Sequence, residues 1–214
     1  MDTIKSKYHE TLAATVIKNL EKRQMEGYYC PTVEDAEKLA FSFLKDGQTV
    51  SFGGSMTLEE TGMLTALRHD PSIHLIDRST AKTPDETKKM YHDALSSDVY
   101  FMSTNAITTG GELVNIDGTG NRVAALIYGP ETVVILAGMN KIAANVDEAL
   151  SRVHNVATAQ NCIRLDKKTP CAITGACADC LSPDCICNQV VITRRSGICL
   201  LYTSPSPRDK RQSR

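Results

Sequence analysis

The sequence predicts an α/β protein, a three-layer sandwich in which helices cover both faces of a mainly parallel sheet. Short apolar segments alternate with amphipathic segments as far as about residue 102, and this order is typical of parallel strands joined by helices. The chain has 214 residues, of which 42% are hydrophobic, as in ordinary folded domains. Because no linker separates two large regions, we expect one domain over residues 1–198.

The elements of the first half follow from local pattern. Residues 3–24 carry an apolar side chain at every fourth position from Ile4 to Leu20, which predicts an amphipathic helix. Thr32, with Asp35 three residues later, is a variant capping box that begins a second helix. The other predicted elements are strands at 27–30, 48–52, 73–76 and 99–102, and helices at about 57–67 and 84–95.

The pattern changes after Ser103. Two short apolar segments within residues 106–116 flank Gly110 and Gly111, which predicts a hairpin or a tight pair of strands. The segment 166–188 has no hydrophobic period and is rich in Cys, Pro and Gly, so we expect a loop that is not organised by a hydrophobic core. The remaining predicted elements are a turn at 117–120, helices at 121–127 and 146–163, and strands at 131–137 and 189–193.

Charge and hydropathy bear on the class of function. The 24 basic and 25 acidic residues give a formal net charge of −1, whereas proteins that bind nucleic acid usually carry a basic excess. No apolar run approaches the roughly 18 residues that cross a bilayer, and the N-terminus lacks the apolar segment of a secretory signal. We therefore expect a cytoplasmic protein without a nucleic-acid or membrane partner. The oligomeric state does not follow from the sequence.

Residues 199–214 differ from the rest of the chain, because an apolar run gives way to Ser-Pro-Ser-Pro and a basic end. Back-translated, residues 199–209 resemble a transposon-end sequencing adapter read in frame. Our hypothesis is that residues 199–214 are a non-native tail and that the natural chain diverges near Ile198; the alternative is a disordered basic tail. Reading the gene from unfragmented genomic DNA tests this, and the same codons before a stop would contradict it.

The first candidate site is a glycine turn that follows a predicted strand. Glycine allows a ligand to approach the backbone, and the N-terminus of the next helix offers N–H groups to an anion. The ligand-binding candidates are Gly53, Gly54, Ser55 and Thr57, together with Glu60 if it faces the turn. The alternative is a capped strand-to-helix turn that binds nothing.

The second candidate site lies between Ser103 and Val123, where glycines and polar residues interrupt the apolar pattern. We expect these side chains to converge on one concave site, with Arg122 as the clamp for an anion. The candidates are Asn105, Thr108, Gly110, Gly111, Asn115, Asp117, Gly120, Asn121 and Arg122. The alternative is a hairpin whose Asn and Asp side chains hydrogen-bond to their own turns.

Cysteines form the third motif, since five of the eight lie within residues 171–187. In a reducing compartment such a cluster indicates a metal site before disulfides. Thiolates bind zinc or an iron–sulfur cluster, and the ligation energy would replace a missing core. The metal candidates are Cys171, Cys177, Cys180 and Cys187, with Cys185 left out. The alternatives are a loop of reduced cysteines and a redox disulfide between Cys177 and Cys180.

Together the three motifs resemble the LUD-domain family, which is named for lactate utilisation and was formerly DUF162. The resemblance covers nearly all of residues 1–198, and its most specific parts lie at 53–58, 105–123 and 174–184. It implies the sandwich fold of sugar-phosphate isomerases and CoA transferases, and a final strand after Ile198. The chain is similar to a short, stand-alone bacterial branch in which Arg typically stands where this chain has Cys185.

Two functions follow from the motifs and this resemblance, and a third, a pure assembly factor, is compatible with the same residues. In the first, the protein takes part in the oxidation of lactate or a related 2-hydroxy acid, with a 4Fe-4S cluster on Cys171, Cys177, Cys180 and Cys187 and an iron–sulfur or flavin redox protein as partner. In the second, it is a transferase-like domain that binds CoA or a sugar phosphate, with structural zinc or no metal. There Arg122 and the glycine turn hold a phosphate, and Glu60 is the acid–base or nucleophilic group. Both functions involve a small anionic ligand, and the resemblance carries over no catalytic residue.

Overall fold

The computed structural model describes residues 3–197 and the backbone of residues 199–204. Ile198 and residues 205–214, which belong to the region of the predicted divergence and tail, lie outside the described residues. The hypothesis that residues 199–214 are non-native stays a prediction.

The elements follow the predicted order closely. The helices are α1 Thr3–Lys22, α2 Val33–Phe41, α3 Met56–Glu60, α4 Met63–His69, α5 Pro84–Leu95, α6 Asn121–Tyr128, α7 Val146–Arg152, α8 Ala159–Arg164 and α9 Pro170–Thr174. The strands are β1 Met25–Tyr29, β2 Thr49–Phe52, β3 His74–Ile76, β4 Val99–Met102, β5 Ala106–Thr108, β6 Leu113–Asp117, β7 Thr132–Leu136, β8 Ile142–Ala143, β9 Gln189–Thr193 and β10 Cys199–Ser204. Two 3-10 turns lie at Arg78–Thr80 and Met139–Lys141.

In the described part of the chain the strands form two sheets. The larger sheet has six strands in the order β1-β10-β7-β4-β2-β3, and every neighbouring pair is parallel. The smaller sheet has four strands in the order β8-β5-β6-β9. The predicted parallel sheet is therefore confirmed, and the backbone of β10 completes it between β1 and β7.

Helices pack on both faces of the six-stranded sheet, because β4 and β7 alternate their side chains between two cores. Tyr100 and Met102 join a core with α1, α5 and α6. Val99 and Phe101 join the opposite core with α2, α3 and α4. A central parallel strand is apolar on both faces for this reason, and all four residues of β4 are buried.

The small sheet begins with the predicted hairpin, in which β5 and β6 are antiparallel. A third core lies between this sheet and α7; it contains Ala106, Val114, Ile116, Ala143, Ala149 and Val153. This second layer of strands was not predicted as a sheet, since β8 and β9 reach it from distant parts of the sequence.

Three elements differ from expectation. The helix predicted at 57–67 breaks at Gly62, whose φ of +77° is left-handed, and becomes α3 and α4. The helix predicted at 146–163 contains a π-helical segment at Val153–Thr158. The segment predicted as a loop contains α9, whose Cys171 is buried against Ala159 and Cys162. A small apolar cluster therefore organises part of the cysteine-rich segment.

Among the described residues, no helix combines the length and apolarity that a bilayer crossing requires.

Candidate functional site

A cavity of about 580 Å³ lies at the carboxyl edge of the six-stranded sheet. Four neighbouring strands, β7, β4, β2 and β3, end at this edge in parallel. Each supplies a lining residue from the segment that follows it: Lys141, Ser103, Gly54 and Arg78. Ligands in open α/β sheets bind at such an edge.

Arg122 organises the wall of the cavity. Its Nη1 donates to Asn115 Oδ1 at 2.6 Å and to the Ser103 carbonyl at 3.0 Å. Its Nη2 donates to Asn105 Oδ1 at 2.9 Å and to the Ile116 carbonyl at 2.7 Å. The four Nη hydrogens therefore all have protein acceptors, so Arg122 cross-links β4 to β6 and lends its positive charge to the cavity. As an anion clamp it would have to give up one of these bonds.

Asp117 shapes the turn that begins α6. Its Oδ1 accepts from the backbone N–H of Thr119 at 3.1 Å and of Gly120 at 2.8 Å. Its Oδ2 accepts from the Val123 N–H at 3.2 Å and lies 3.8 Å from Arg122 Nε. Gly120 has a φ of +90°, which favours glycine. Asp117 and Gly120 thus serve the turn, as the hairpin alternative expected, while Asn121 lines the cavity beside them.

Lys141 is a cavity residue that the sequence analysis missed. Its Nζ donates to Thr57 Oγ1 at 2.7 Å and to Ser103 Oγ at 2.5 Å. Within the described chain it has no carboxylate at ion-pair distance. Burial, with the nearby charges of Arg152 and Arg122, lowers the pKa of Lys141 to about 7. Thr57, from the predicted glycine turn after β2, therefore accepts a hydrogen bond from a lysine on the 3-10 turn after β7.

Arg78 was also missed, and it explains Gly54. The guanidinium lies where a Cβ at position 54 would be, so only glycine leaves room for it. It also lies 5.7 Å from the centre of the Tyr91 ring, a cation–π contact. No acceptor among the described residues takes a hydrogen bond from this guanidinium, which lines the cavity.

The cavity is strongly cationic. Among the residues that the structure describes, two acidic side chains line it, Asp117 and Asp184, against the cationic Arg78, Arg122, Lys141, Arg152, Arg164 and Lys167. Both acids already accept backbone hydrogen bonds, Asp184 from Lys168 at 2.9 Å. The chemistry of the cavity is therefore suited to a phosphate or carboxylate.

The other residues of the glycine turn have local roles. Gly53 leaves space for the Arg122 side chain and the Tyr100 hydroxyl, each about 3.1 Å from a Cβ at that position. Ser55 lines the cavity and caps α3 by accepting from the Leu58 N–H at 3.5 Å. Glu60 is exposed and is not among the lining residues.

Part of the second motif lies elsewhere. Asn105, Asn115, Asp117 and Arg122 converge as expected, but the hairpin tip packs against α1. Arg23 Nε donates to the Gly110 carbonyl at 2.6 Å, and its Nη2 pairs with Glu112, which also accepts from the Thr108 hydroxyl. Thr108, Gly110 and Gly111 therefore stabilise the hairpin and do not join the cavity.

Several cysteines are neighbours, since the thiol pairs Cys162–Cys171, Cys180–Cys185 and Cys185–Cys187 interact, but the described cysteines are not arranged around one metal position. Cys177 Sγ lies 3.8 Å from His154 Nδ1, Cys180 Sγ lies 3.6 Å from Ser182 Oγ, and Cys171 Sγ lies 3.2 Å from Thr169 Oγ1. Within residues 3–197, no three His, Cys, Asp or Glu side chains are arranged to hold a metal ion. The residues as placed do not fit a cluster or a zinc ion, so a 4Fe-4S or zinc site stays a prediction and no chemical step is assigned to it.

The cysteine-rich segment still contributes to the cavity, because Pro183, Asp184, Cys185 and Ile186 form part of its lining. Ala157 and Thr158, which come from the π-helical segment, also line the cavity. Single π-helical turns occur frequently at functional sites.

One sequence signal could have found the missed cations. Arg78 and Lys141 both follow shortly after a predicted parallel strand, at 73–76 and 131–137. The carboxyl ends of parallel strands share one edge of the sheet. Polar residues after each predicted strand therefore indicate a shared site as much as a glycine motif does.

Comparison with known proteins gives the following matches. A family model described as the LUD domain matches residues 13–198. A search of curated proteins gives no match. A DUF162 family protein from Deinococcus radiodurans has a similar fold, with a TM-score of 0.53 at 9% identity over 93% of this chain and 98% of that chain.

More distant structures match about half of the chain. One is eIF2B delta from Chaetomium thermophilum, with a TM-score of 0.37 at 18% identity over 56% of this chain and 50% of that chain. Another is ribose 5 phosphate isomerase A from Neisseria gonorrhoeae, with a TM-score of 0.34 at 15% identity over 52% of each chain.

Proposed function

Because the chain belongs to the LUD domain family and its cavity is lined mainly by cations, we propose that it binds a small metabolite carrying a phosphate or carboxylate. The observation that carries this proposal is the guanidinium of Arg78. It lines the cavity beside Gly54, and no acceptor within the described residues takes its hydrogen bonds. A guanidinium left in that state is suited to bidentate recognition of an anion.

Two further basic side chains that line the cavity support the same ligand class. Arg152 donates Nε to the Asn140 carbonyl at 2.9 Å and Nη1 to the Asn105 carbonyl at 2.7 Å. These bonds hold the side chain in place and leave Nη2 for a ligand. Lys141 is held in a similar way by its hydrogen bonds to the hydroxyls of Thr57 and Ser103. The ligand would therefore meet donors that are already oriented, which reduces the entropy lost on binding.

The family resemblance suggests two kinds of anion. CoA or a sugar phosphate would use the phosphate-binding character of the arginines. Lactate, or another 2-hydroxy acid, would place a carboxylate there. Cys185 lines the same cavity, and this observation supports a redox-associated role in lactate metabolism as a second candidate function. No electron-transfer step is assigned.

Isothermal titration calorimetry with CoA, ribose 5-phosphate, L-lactate and pyruvate tests the proposal and separates the two kinds of anion. We expect at least one of them to bind, with an affinity that falls as salt rises. Arg78→Ala should weaken binding about ten-fold, since it removes a charge-assisted hydrogen bond. Arg195→Ala is the matched control, because Arg195 lines a separate depression near Gly110.

Absence of heat and of thermal stabilisation with all four compounds would overturn the proposal. Equal weakening by Arg78→Ala and Arg195→Ala would also contradict it, because binding would then depend on overall charge rather than on the cavity. Metal and sulfide analysis of anaerobically purified protein tests the cluster independently of ligand binding.

A further inference from the structure

The amine of Lys141 is held in an unusual way for a lysine. It lies on the 3-10 turn after β7, and its two hydrogen-bond partners are the hydroxyls of Thr57 and Ser103, at 2.7 and 2.5 Å. In the described part of the chain neither a carboxylate nor a third acceptor contacts Nζ. A neutral amine with both N–H groups donated to these hydroxyls keeps its lone pair for a group in the cavity.

The surroundings of the amine favour that neutral form. Burial and the charges of Arg152 and Arg122 bring the pKa of Lys141 down to about 7, so much of the amine is unprotonated near neutral pH. An unprotonated lysine is a nucleophile for carbonyl carbon. The same cations attract the anionic end of a ligand to within reach of the amine.

We propose that Lys141 forms an imine with the carbonyl group of an anionic aldehyde or ketone bound in this cavity. This inference rests on the proposed function, since the arginines must bind the anion. Nζ adds to the carbonyl carbon, and a proton from nitrogen moves to the carbonyl oxygen through the Thr57 or Ser103 hydroxyl. The hydroxyl so formed then takes the second proton of the nitrogen through the same hydroxyls and leaves as water, while the nitrogen lone pair forms the C=N double bond.

Trapping with sodium cyanoborohydride tests the inference. Wild-type protein is incubated with pyruvate, or separately with glycolaldehyde phosphate, and the reductant converts the imine to a stable secondary amine. Peptide mass spectrometry should place the adduct on Lys141 in large excess over the exposed Lys89, whose Nζ pairs with Asp93 at 2.7 Å. This comparison within one digest needs no variant.

Lys141→Arg should abolish the adduct while keeping a cation for anion binding, and Lys89→Arg should leave the adduct unchanged. Thermal melting checks that both variants are folded. If calorimetry shows that pyruvate or glycolaldehyde phosphate binds but no adduct forms on Lys141, this inference is wrong and the proposed function stands. If neither compound binds, the proposed function fails for these ligands and the imine fails with it. Equal labelling of Lys141 and Lys89 would also overturn the imine.

Discussion

Arg122 Nη1 donates to Asn115 Oδ1 at 2.6 Å, and this bond joins the first turn of α6 to the middle of β6. Asn115 is fully buried, and its amide nitrogen has no hydrogen-bond partner among the described atoms. The pair therefore depends on the guanidinium, because the oxygen would otherwise keep only the Asn105 N–H at 3.2 Å. The residues of the cavity wall therefore stabilise the fold as well as form the candidate site.

Replacing Arg122 should accordingly unfold the protein more easily. Arg122→Ala removes one donor from each of four acceptors, the side-chain oxygens of Asn105 and Asn115 and the carbonyls of Ser103 and Ile116. It should lower the free energy of unfolding by about 3 kcal/mol. Urea unfolding measures this. Arg164→Ala is the control, because Arg164 bonds to Asn161 one turn away in the same helix, and a surface change of this kind stays within about 0.5 kcal/mol. Similar losses for both variants would contradict the network.

Gly54→Ala should weaken anion binding with little effect on folding. The added Cβ displaces the end of the flexible Arg78 side chain, so the expected loss of stability is below about 1 kcal/mol, but the guanidinium leaves its place in the cavity. Affinity for the anion found by calorimetry should fall about ten-fold. Gly197→Ala serves as the control, since a Cβ there meets nothing within 4 Å. An unchanged affinity in Gly54→Ala would remove Arg78 from the site.

Gly111→Ala should have the opposite profile. Gly111 has a φ of +88°, and a Cβ there would lie 3.0 Å from the backbone of α1 at Asn19 and Leu20. Strain and overlap should lower the free energy of unfolding by about 2 kcal/mol. Because the hairpin tip is remote from the cavity, anion affinity measured below the melting transition should stay as in wild type. A loss of anion affinity without a loss of stability would show that Gly111 belongs to the binding site after all.

Lys141 should make stability depend on pH. Its pKa is about 7 in the folded protein against the ordinary 10.5, so between these values the unfolded chain binds more protons. The free energy of unfolding therefore gains a contribution that rises with pH from about 7 to 10.5. In Lys141→Met this contribution is absent. The difference between wild type and variant, from urea unfolding at several pH values, should increase across that window, and a flat difference would contradict the lowered pKa.

The thiols should differ in reactivity. Hydrogen bonds from Ser182 lower the pKa of Cys180, whereas burial raises that of Cys162 and brings that of Cys187 to about 12. Iodoacetamide at neutral pH should therefore label Cys180 before Cys162 and Cys187. Ser182→Ala should slow the labelling of Cys180 only in part, because it removes the hydroxyl and keeps the backbone N–H of residue 182, and peptide mass spectrometry follows the rate. Faster labelling of Cys187 than of Cys180 would show that the segment is arranged differently.

Local sequence pattern was enough to predict the alternation of strands and helices and most of their bounds. The strand at 99–102 and the helix at 84–95 match the structure residue for residue. Such elements are encoded within a few neighbouring positions, by apolar spacing and by caps such as Thr83 and Thr32. Asn105, Asn115 and Arg122 were found for a similar reason, since polar residues that interrupt an apolar pattern are visible in the sequence.

Which of these residues share one site depends on contacts between distant parts of the chain. Arg78, Lys141 and Arg152 reach the cavity because β3, β7 and the segment after β8 end near one another, and this depends on sheet order rather than on local pattern. The same order placed Gly110 and Gly111 against α1, and it left no three of the described cysteines arranged to hold a metal ion. Contacts between residues far apart in sequence depend on how the layers of the fold pack. In a single sequence such residues are visible only as separate polar positions after different strands.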